Sequence, residues 1–348
     1  MNSVHPDELK EKNSRLEYID CAKGLGILLV VIGHHLQASE NVVQWIFSFH
    51  MPLFFIITGY LLAHRNQIIP IKEALASGAK TLMYPFFTFS FVVIVWWIAF
   101  IVVLQAHPEE PLGNILLRTV TTYGYHAMWF LPTLYIAGTV SKTYKHHSRW
   151  VLLLGSAAVG CFMSCIIHSK MLFTGGWRYA AMYFGRVFLA VSFIEIGRVM
   201  HGIHRKLSNA AEWIVLMGAM IVSLVLCNKN IFVSMAFSRI GNPAVYYLAA
   251  CAGSVGVFLL GKKISRGYVG TAMSFWGRNS LIVMALHMDV SIEIAWIVLG
   301  VTRLGSRFEP RTASVLAIVI ELFLLLCMIV IINRYGYFLV CPPRRKEK

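Results

Sequence analysis

The sequence predicts an all-α polytopic membrane protein of about ten transmembrane helices with both termini in the cytoplasm, and three observations carry that reading. Hydrophobic residues make up 57% of the 348-residue chain and charged residues only 14%, an apolar excess that a soluble fold of this size has no interior to hide. Several apolar runs approach or exceed about 18 residues with almost no charge, the length a helix needs to cross a hydrocarbon core. Lys and Arg gather in the short links between those runs, and they do so unevenly. With spans at 22–39, 43–63, 82–104, 127–144, 150–168, 179–200, 211–228, 244–261, 279–300 and 313–333, one side holds 22 of the 31 Lys and Arg residues. The opposite side holds eight, and Arg186 lies within a span. Since the richer side includes the N-terminus and the tail, both termini are expected in the cytoplasm and the number of spans is expected to be even.

The same residues exclude other classes. A formal charge of +15 would suit nucleic acid, yet no soluble basic domain presents it, so no nucleic-acid partner is expected. The seven cysteines are odd in number, sit within or beside spans and form no CxxC pair, and the histidines do not join them at ligand spacing. Neither a disulfide framework nor a metal site is expected. The polar start, MNSVHPDELKEKNSRLEY, has no apolar core before a small-residue cleavage site, so the first span is expected to act as its own insertion signal. The chain then divides into a cytoplasmic segment at 1–17, a transmembrane domain at 18–337 and a basic cytoplasmic tail at 338–348. No internal repeat is evident, which counts against a secondary transporter.

Taken in order, the first two spans form a hairpin that carries Asp20, Lys23, His34, His35 and His50. Ionisable groups are costly in lipid, so these are functional candidates. Lys23 and His34 are eleven residues apart, which is about 1100° of helical rotation, within about 20° of three full turns, and about 16 Å of rise. They share one helix face, and a cation at the mouth with an imidazole at depth suits a catalyst that takes an anionic donor from one side. His35 points about 100° away and reads as structural. His34 lies about five residues from the outer end of its span and His50 about seven into the next, so antiparallel packing brings the two to similar depth. Prolines at Met51-Pro52 and Tyr84-Pro85 fall where membrane helices tolerate them.

The longest outer link, 105–126, holds Glu109, Glu110 and the segment TTYGYH. It reads either as a stretch that meets substrate or as a short interfacial helix anchored by Tyr123 and Tyr125. Trp96, Trp97 and Trp129 read as lipid-facing or packing residues rather than a sugar platform. In the sixth span Glu195 lies on the face opposite Arg186, so the two cannot pair. Arg186 is expected to face the bundle interior and hold an anionic donor or a carboxylate from elsewhere, such as Glu293 or Glu321. The ninth span carries His287 near its middle, followed by Asp289 and Glu293.

These residues form a recognisable set. Asp20-x-x-Lys23-Gly24-x9-His34, then Phe49-His50-Met51-Pro52-Leu53-Phe54-Phe55 and Thr58-Gly59-Tyr60-Leu61, resemble the acyltransferase-3 family of integral membrane acyltransferases. Trp129-Phe130-Leu131, Gly185-Arg186 and Gly277-Arg278-Asn279-Ser280-Leu281 leading to His287 fit the same pattern. The likeness spans most of the chain and points to the fucose 4-O-acetylase-like branch. It implies transfer of an acetyl or other acyl group from acyl-CoA, with acetyl-CoA as donor, to a hydroxyl of a cell-surface glycan or a lipid-linked sugar. It also implies a multi-pass protein of the cytoplasmic (inner) membrane. The family's Arg-x10-His signature falls on Lys23 and His34, and the exchange of Arg for Lys replaces a bidentate fork with a point charge. Many relatives end in an extra hydrolase-like domain, and this chain, which reaches Lys348, is expected to be the membrane module alone.

On that resemblance His34 is the general base that takes the proton of the acceptor hydroxyl, the alternative being a buried histidine tied to a neighbouring helix. His50 orients His34, binds substrate or acts as a second acid or base; otherwise it is a helix histidine before a proline kink. Lys23 and Arg186 hold the donor, although a boundary lysine also sets topology. Asp20 and His287 are placed with the substrate, His287 otherwise being a packed polar residue. The competing function is a proton-coupled or anion transporter that uses the same buried charges as a relay.

Overall fold

The computed structural model describes residues 16–35, 40–66, 68–104, 111–144, 149–168, 175–204 and 207–343. The acidic pair Glu109 and Glu110, most of the 1–17 segment and the end of the basic tail lie outside these residues. Among the described residues the architecture is all helical, with one isolated antiparallel bridge between Ser234 and Arg239.

The opening hairpin comprises α1 (Glu17–His34) and α2 (Glu40–Arg65). Next come α3 (Ile71–Gly78), a π-helical turn at Ala79–Met83 and α4 (Tyr84–Leu104), which run on as one rod. The outer link does contain a short helix, α5 (Leu112–Val120), and ends in a 3-10 turn, His126–Trp129, that leads into α6 (Phe130–Thr143). There follow α7 (Arg149–His168), α8 (Gly175–His204), α9 (Asn209–Cys227) and α10 (Pro243–Ile264). The predicted ninth span has a helix before it, α11 (Gly267–Arg278), then α12 (Ser280–Leu286), a π turn at His287–Ser291 and α13 (Ile292–Val301). The last long helix is α14 (Pro310–Tyr335).

Eight of these rods are long and apolar enough to cross a membrane, which makes the chain a polytopic membrane protein. The predicted first and fourth spans fall short of that measure. The first carries Glu17, Asp20 and Lys23, and α6 has 14 residues, about 21 Å of rise. Burial explains why polar residues are admitted in α1. It packs against α11, α10 and α2, and Asp20 is only 6% exposed. By contrast, α7 and α9 bury only 22% of their apolar windows and turn Trp150, Phe162 and Ile214 outward, a surface suited to lipid rather than water. The core is therefore built from α1, α2, α8, α10 and the α12–α13 rod, with α4, α7, α9 and α14 around it.

Close approach fixes the centre. A Cβ on Gly24 would lie 1.9 Å from the Met273 carbonyl oxygen, and one on Gly277 would lie 1.7 Å from the Asp20 oxygen. Only glycine at both positions lets α1 and α11 cross backbone to backbone, as small residues do in membrane interfaces. The predicted boundaries shift accordingly: α1 begins and ends about five residues earlier than its apolar run suggests, so His34 is its last residue rather than an interior one.

Candidate active site

Four histidines from three parts of the chain meet at one end of α1. The His34 ring stacks on His287 at 5.0 Å between centroids with a 24° interplanar angle, and meets His50 edge-on at 6.4 Å. The expected approach of His34 and His50 is thus realised, although His34 stands at a helix end. His34 makes no side-chain hydrogen bond with any described residue. His50 is held more firmly, because its Nδ1 donates to the Ile46 carbonyl at 2.9 Å. A carbonyl only accepts, so in the neutral ring Nδ1 carries the hydrogen and Nε2 is the basic nitrogen. The same logic applies to His287, whose Nδ1 donates to the Met284 oxygen at 2.9 Å while Nε2 is buried without a partner among the described residues.

The fourth histidine was not singled out by sequence. His126 ends the TTYGYH segment, and its Nδ1 lies 2.5 Å from Asp289 Oδ1 in the π turn that begins at His287. Backbone geometry positions it. Thr122 and His126 have positive φ of 55° and 37°, a costly conformation for such residues, and Gly124 between them has φ +84°. A Cβ on Gly124 would sit 2.4 Å from the Trp129 backbone, so this turn requires glycine. Strain in a loop and a π turn opposite it are features that gather at functional sites.

Three of these histidines, His34, His50 and His126, border one cavity of about 600 Å³. Its wall includes Lys23, His34, His50, His126, Trp129, Phe130 and, from the link after α9, Phe232 and Arg239. Lys23 and His34 therefore face the same space, as their spacing predicts. Most of the wall is apolar, and among the described residues its formal charge comes from Lys23 and Arg239 and no carboxylate lines it. Among the described residues no group of three or more His, Cys, Asp or Glu is placed to hold a metal ion.

Other sequence candidates fall elsewhere. Arg186 is fully buried but does not line the cavity, and the expected pairing with Glu293 or Glu321 does not form. Its guanidinium instead donates to the backbone oxygens of Tyr123 and Ala236 and lies against the rings of Tyr123, Tyr183 and Trp129, 4.5 to 5.3 Å from their centroids. Burial pushes the Tyr123 phenol up, so the ring meets the cation as a neutral π face. Both acids have other partners. Glu293 accepts from Trp96 Nε1 at 3.1 Å, which also draws Trp96 inward, and Glu321 accepts from Ser291 and pairs with His35. Glu195, which cannot reach Arg186, meets Arg149 at 3.0 Å. Asp20 lies at the α1–α11 crossing and His287 behind His34, neither of them lining the cavity.

Comparison with known proteins adds to this geometry. The acyltransferase domain that defines the acyltransferase-3 family matches residues 16–334. A similar curated protein is the nodulation protein NolL of Mesorhizobium japonicum, 28% identical over 162 residues. That alignment spans 42% of this chain and 41% of the relative. No solved structure matches.

Proposed function

Because this chain belongs to the acyltransferase-3 family of membrane acyltransferases, we propose that it is an O-acetyltransferase of the cytoplasmic (inner) membrane. It moves an acetyl group from acetyl-CoA to a hydroxyl of a cell-surface glycan or its lipid-linked precursor, and within the family it falls in the fucose 4-O-acetylase-like branch. The observation that supports this reading is the shared cavity, with a cation near one end of α1 and a histidine cluster at the other. The Lys23 ammonium receives a phosphate of the donor as a charge-assisted contact. The acceptor hydroxyl enters beside His34, which takes its proton as the oxygen attacks the thioester carbonyl. A C–O bond forms, the C–S bond breaks, its electron pair leaves on sulfur, and the proton held by His34 passes to that thiolate to give free coenzyme A. His50 serves as a second acid or base with its Nε2, and His287 supports His34 from behind. Arg186 and Asp20 act as positioning residues, the first by holding the Tyr123–Trp129 wall and the second at the α1–α11 crossing.

The test is His34→Ala in cells that make the acceptor. Glycan O-acetylation, read as the mass of one acetyl ester per sugar, is expected to fall by at least about 100-fold, the usual contribution of general-base catalysis, while the protein still inserts. Wild-type acetylation in that variant would refute the role of His34. Uptake of solute by proteoliposomes lacking any acyl donor would instead favour transport.

A further inference from the structure

The link between α9 and α10, residues 228–242, has no helical or strand pattern in the sequence, yet it is braced throughout. Gln44 Nε2 donates to the oxygens of Cys227 and Asn230, both at 2.8 Å. The Asn230 side chain accepts from the amides of Ile231 and Asn242 and donates to the Ile240 oxygen at 2.9 Å. Ser234 and Arg239 exchange two backbone hydrogen bonds, and Ser238, buried with φ 52°, donates to the Met182 oxygen at 2.8 Å. So many anchors hold a loop in one shape, and that shape brings Phe232, Phe237 and Arg239 to the cavity wall.

Arg239 is placed without a partner among the described residues. It is exposed, and its guanidinium makes no hydrogen bond or ion pair with any described residue. No carboxylate among the described residues lines the cavity, and the described acids nearest the histidine cluster are already engaged: Asp289 by His126, Glu293 by Trp96 and Glu321 by His35. Packing puts this loop at the His34 end of α1, since Phe232 meets Phe47 at 4.9 Å and Phe47 meets His34 at 5.4 Å. Lys23 is eleven residues down the helix, about 16 Å away along its axis. One cavity thus has Lys23 toward one end and the histidines with Arg239 toward the other, an arrangement that suits two anionic groups held apart along it.

We propose that the Arg239 end of the cavity is a subsite for an anionic group, a carboxylate or a phosphate, carried by the acyl acceptor. The planar guanidinium presents two parallel N–H donors to either group, and Phe232 and Phe237 offer an apolar face to the adjoining sugar ring. The word acceptor rests on the acyltransferase reading, whereas anion selectivity does not.

Binding separates the two. The purified protein in detergent is titrated by calorimetry with methyl glucuronide, glucose 1-phosphate and neutral methyl glucoside, and separately with acetyl-CoA. At least one charged sugar is expected to bind about tenfold or more tightly than the neutral one, as a charge-assisted bidentate contact would give. Preference for the glucuronide identifies a carboxylate acceptor, and preference for glucose 1-phosphate identifies a phosphate. Arg239→Ala is expected to bring all three sugars to the same affinity, Arg239→Lys to keep part of the preference, and both to bind acetyl-CoA as wild type does, which also shows that they fold. Equal binding of charged and neutral sugars by wild type, or a preference that survives Arg239→Ala, overturns the subsite. Failure of wild type to bind acetyl-CoA would count against the donor reading alone and leave the anion site standing.

Discussion

Asp289 grips His126 by Nδ1, and in a neutral imidazole that contact makes Nδ1 the donor and leaves Nε2 as the basic nitrogen. Under the proposed reaction, His126 Nε2 can therefore share proton work with His34 across the same cavity. Asp289→Asn keeps the shape and removes the charge. The expected result is a fall in kcat of about 100-fold with the KM for acetyl-CoA unchanged. Steady-state kinetics on the purified variant read this directly, and a kcat within twofold of wild type would exclude proton transfer at His126. That Lys23 and His34 face one space was legible because helix periodicity fixes which residues share a face, and that His50 comes near His34 because antiparallel spans match in depth. Arg186 was not, because periodicity says that a residue faces inward but not what waits there. Its neighbours, Tyr123 and Trp129, come from a strained turn that no spacing rule reaches.

At the scale of helices, the crossing of α1 and α11 governs where Lys23 sits. Gly24 is the next residue after Lys23, and the space for a Cβ at Gly24 and at Gly277 is already occupied by backbone carbonyls of the facing helix. Carbonyls cannot rotate aside as a flexible side chain would, so Gly277→Ala must push the helices apart. Overpacking of this kind costs about 1–3 kcal/mol, and a backbone clash belongs at the upper end. Thermal unfolding in detergent is expected to shift downward for Gly277→Ala and to be little changed for Gly300→Ala, where a Cβ would meet nothing within 4 Å. Equal unfolding temperatures for the two would show that the crossing is not tight. Long apolar helices were visible in the sequence because hydropathy integrates over many residues. α11 was not, since its 12 residues include glycines and end in Arg278, and they read as the approach to the ninth span. The break at Asn279, whose side chain donates to the Phe275 oxygen at 2.8 Å and accepts from Asn333, is a local bonding choice with no periodic signature. The π turns at Ala79–Met83 and His287–Ser291 are hidden for the same reason.

The proposed reaction, if its donor is cytoplasmic and its acceptor lies on the far side, requires the whole molecule to hold its cavity between two compartments, and charge placement bears on that orientation. The cations that clamp helix ends, Arg149 and Arg198 on Glu195 and Lys262 and Lys263 on Glu212, all fall on the side that the Lys and Arg count assigns to the cytoplasm. Lys23 lies toward that side and Arg239 toward the other. We propose ten spans with α1 and α6 counted among them. In α1 the charged residues Glu17, Asp20 and Lys23 occupy the first two turns, and the stretch from Gly24 to Gly33 that follows is uncharged and sheltered by α2, α10 and α11 rather than by lipid. Such a helix needs no apolar outer face, so hydropathy understates it. A reporter enzyme active only outside the cytoplasm, fused after Arg65 or at the C-terminus, is expected to be silent, and one fused after Phe232 is expected to be active. Activity at both Arg65 and Phe232, or at neither, would place Lys23 and Arg239 toward one compartment. Donor and acceptor would then have to enter by the same mouth, and a cavity with a cation at each end would have no use for the second.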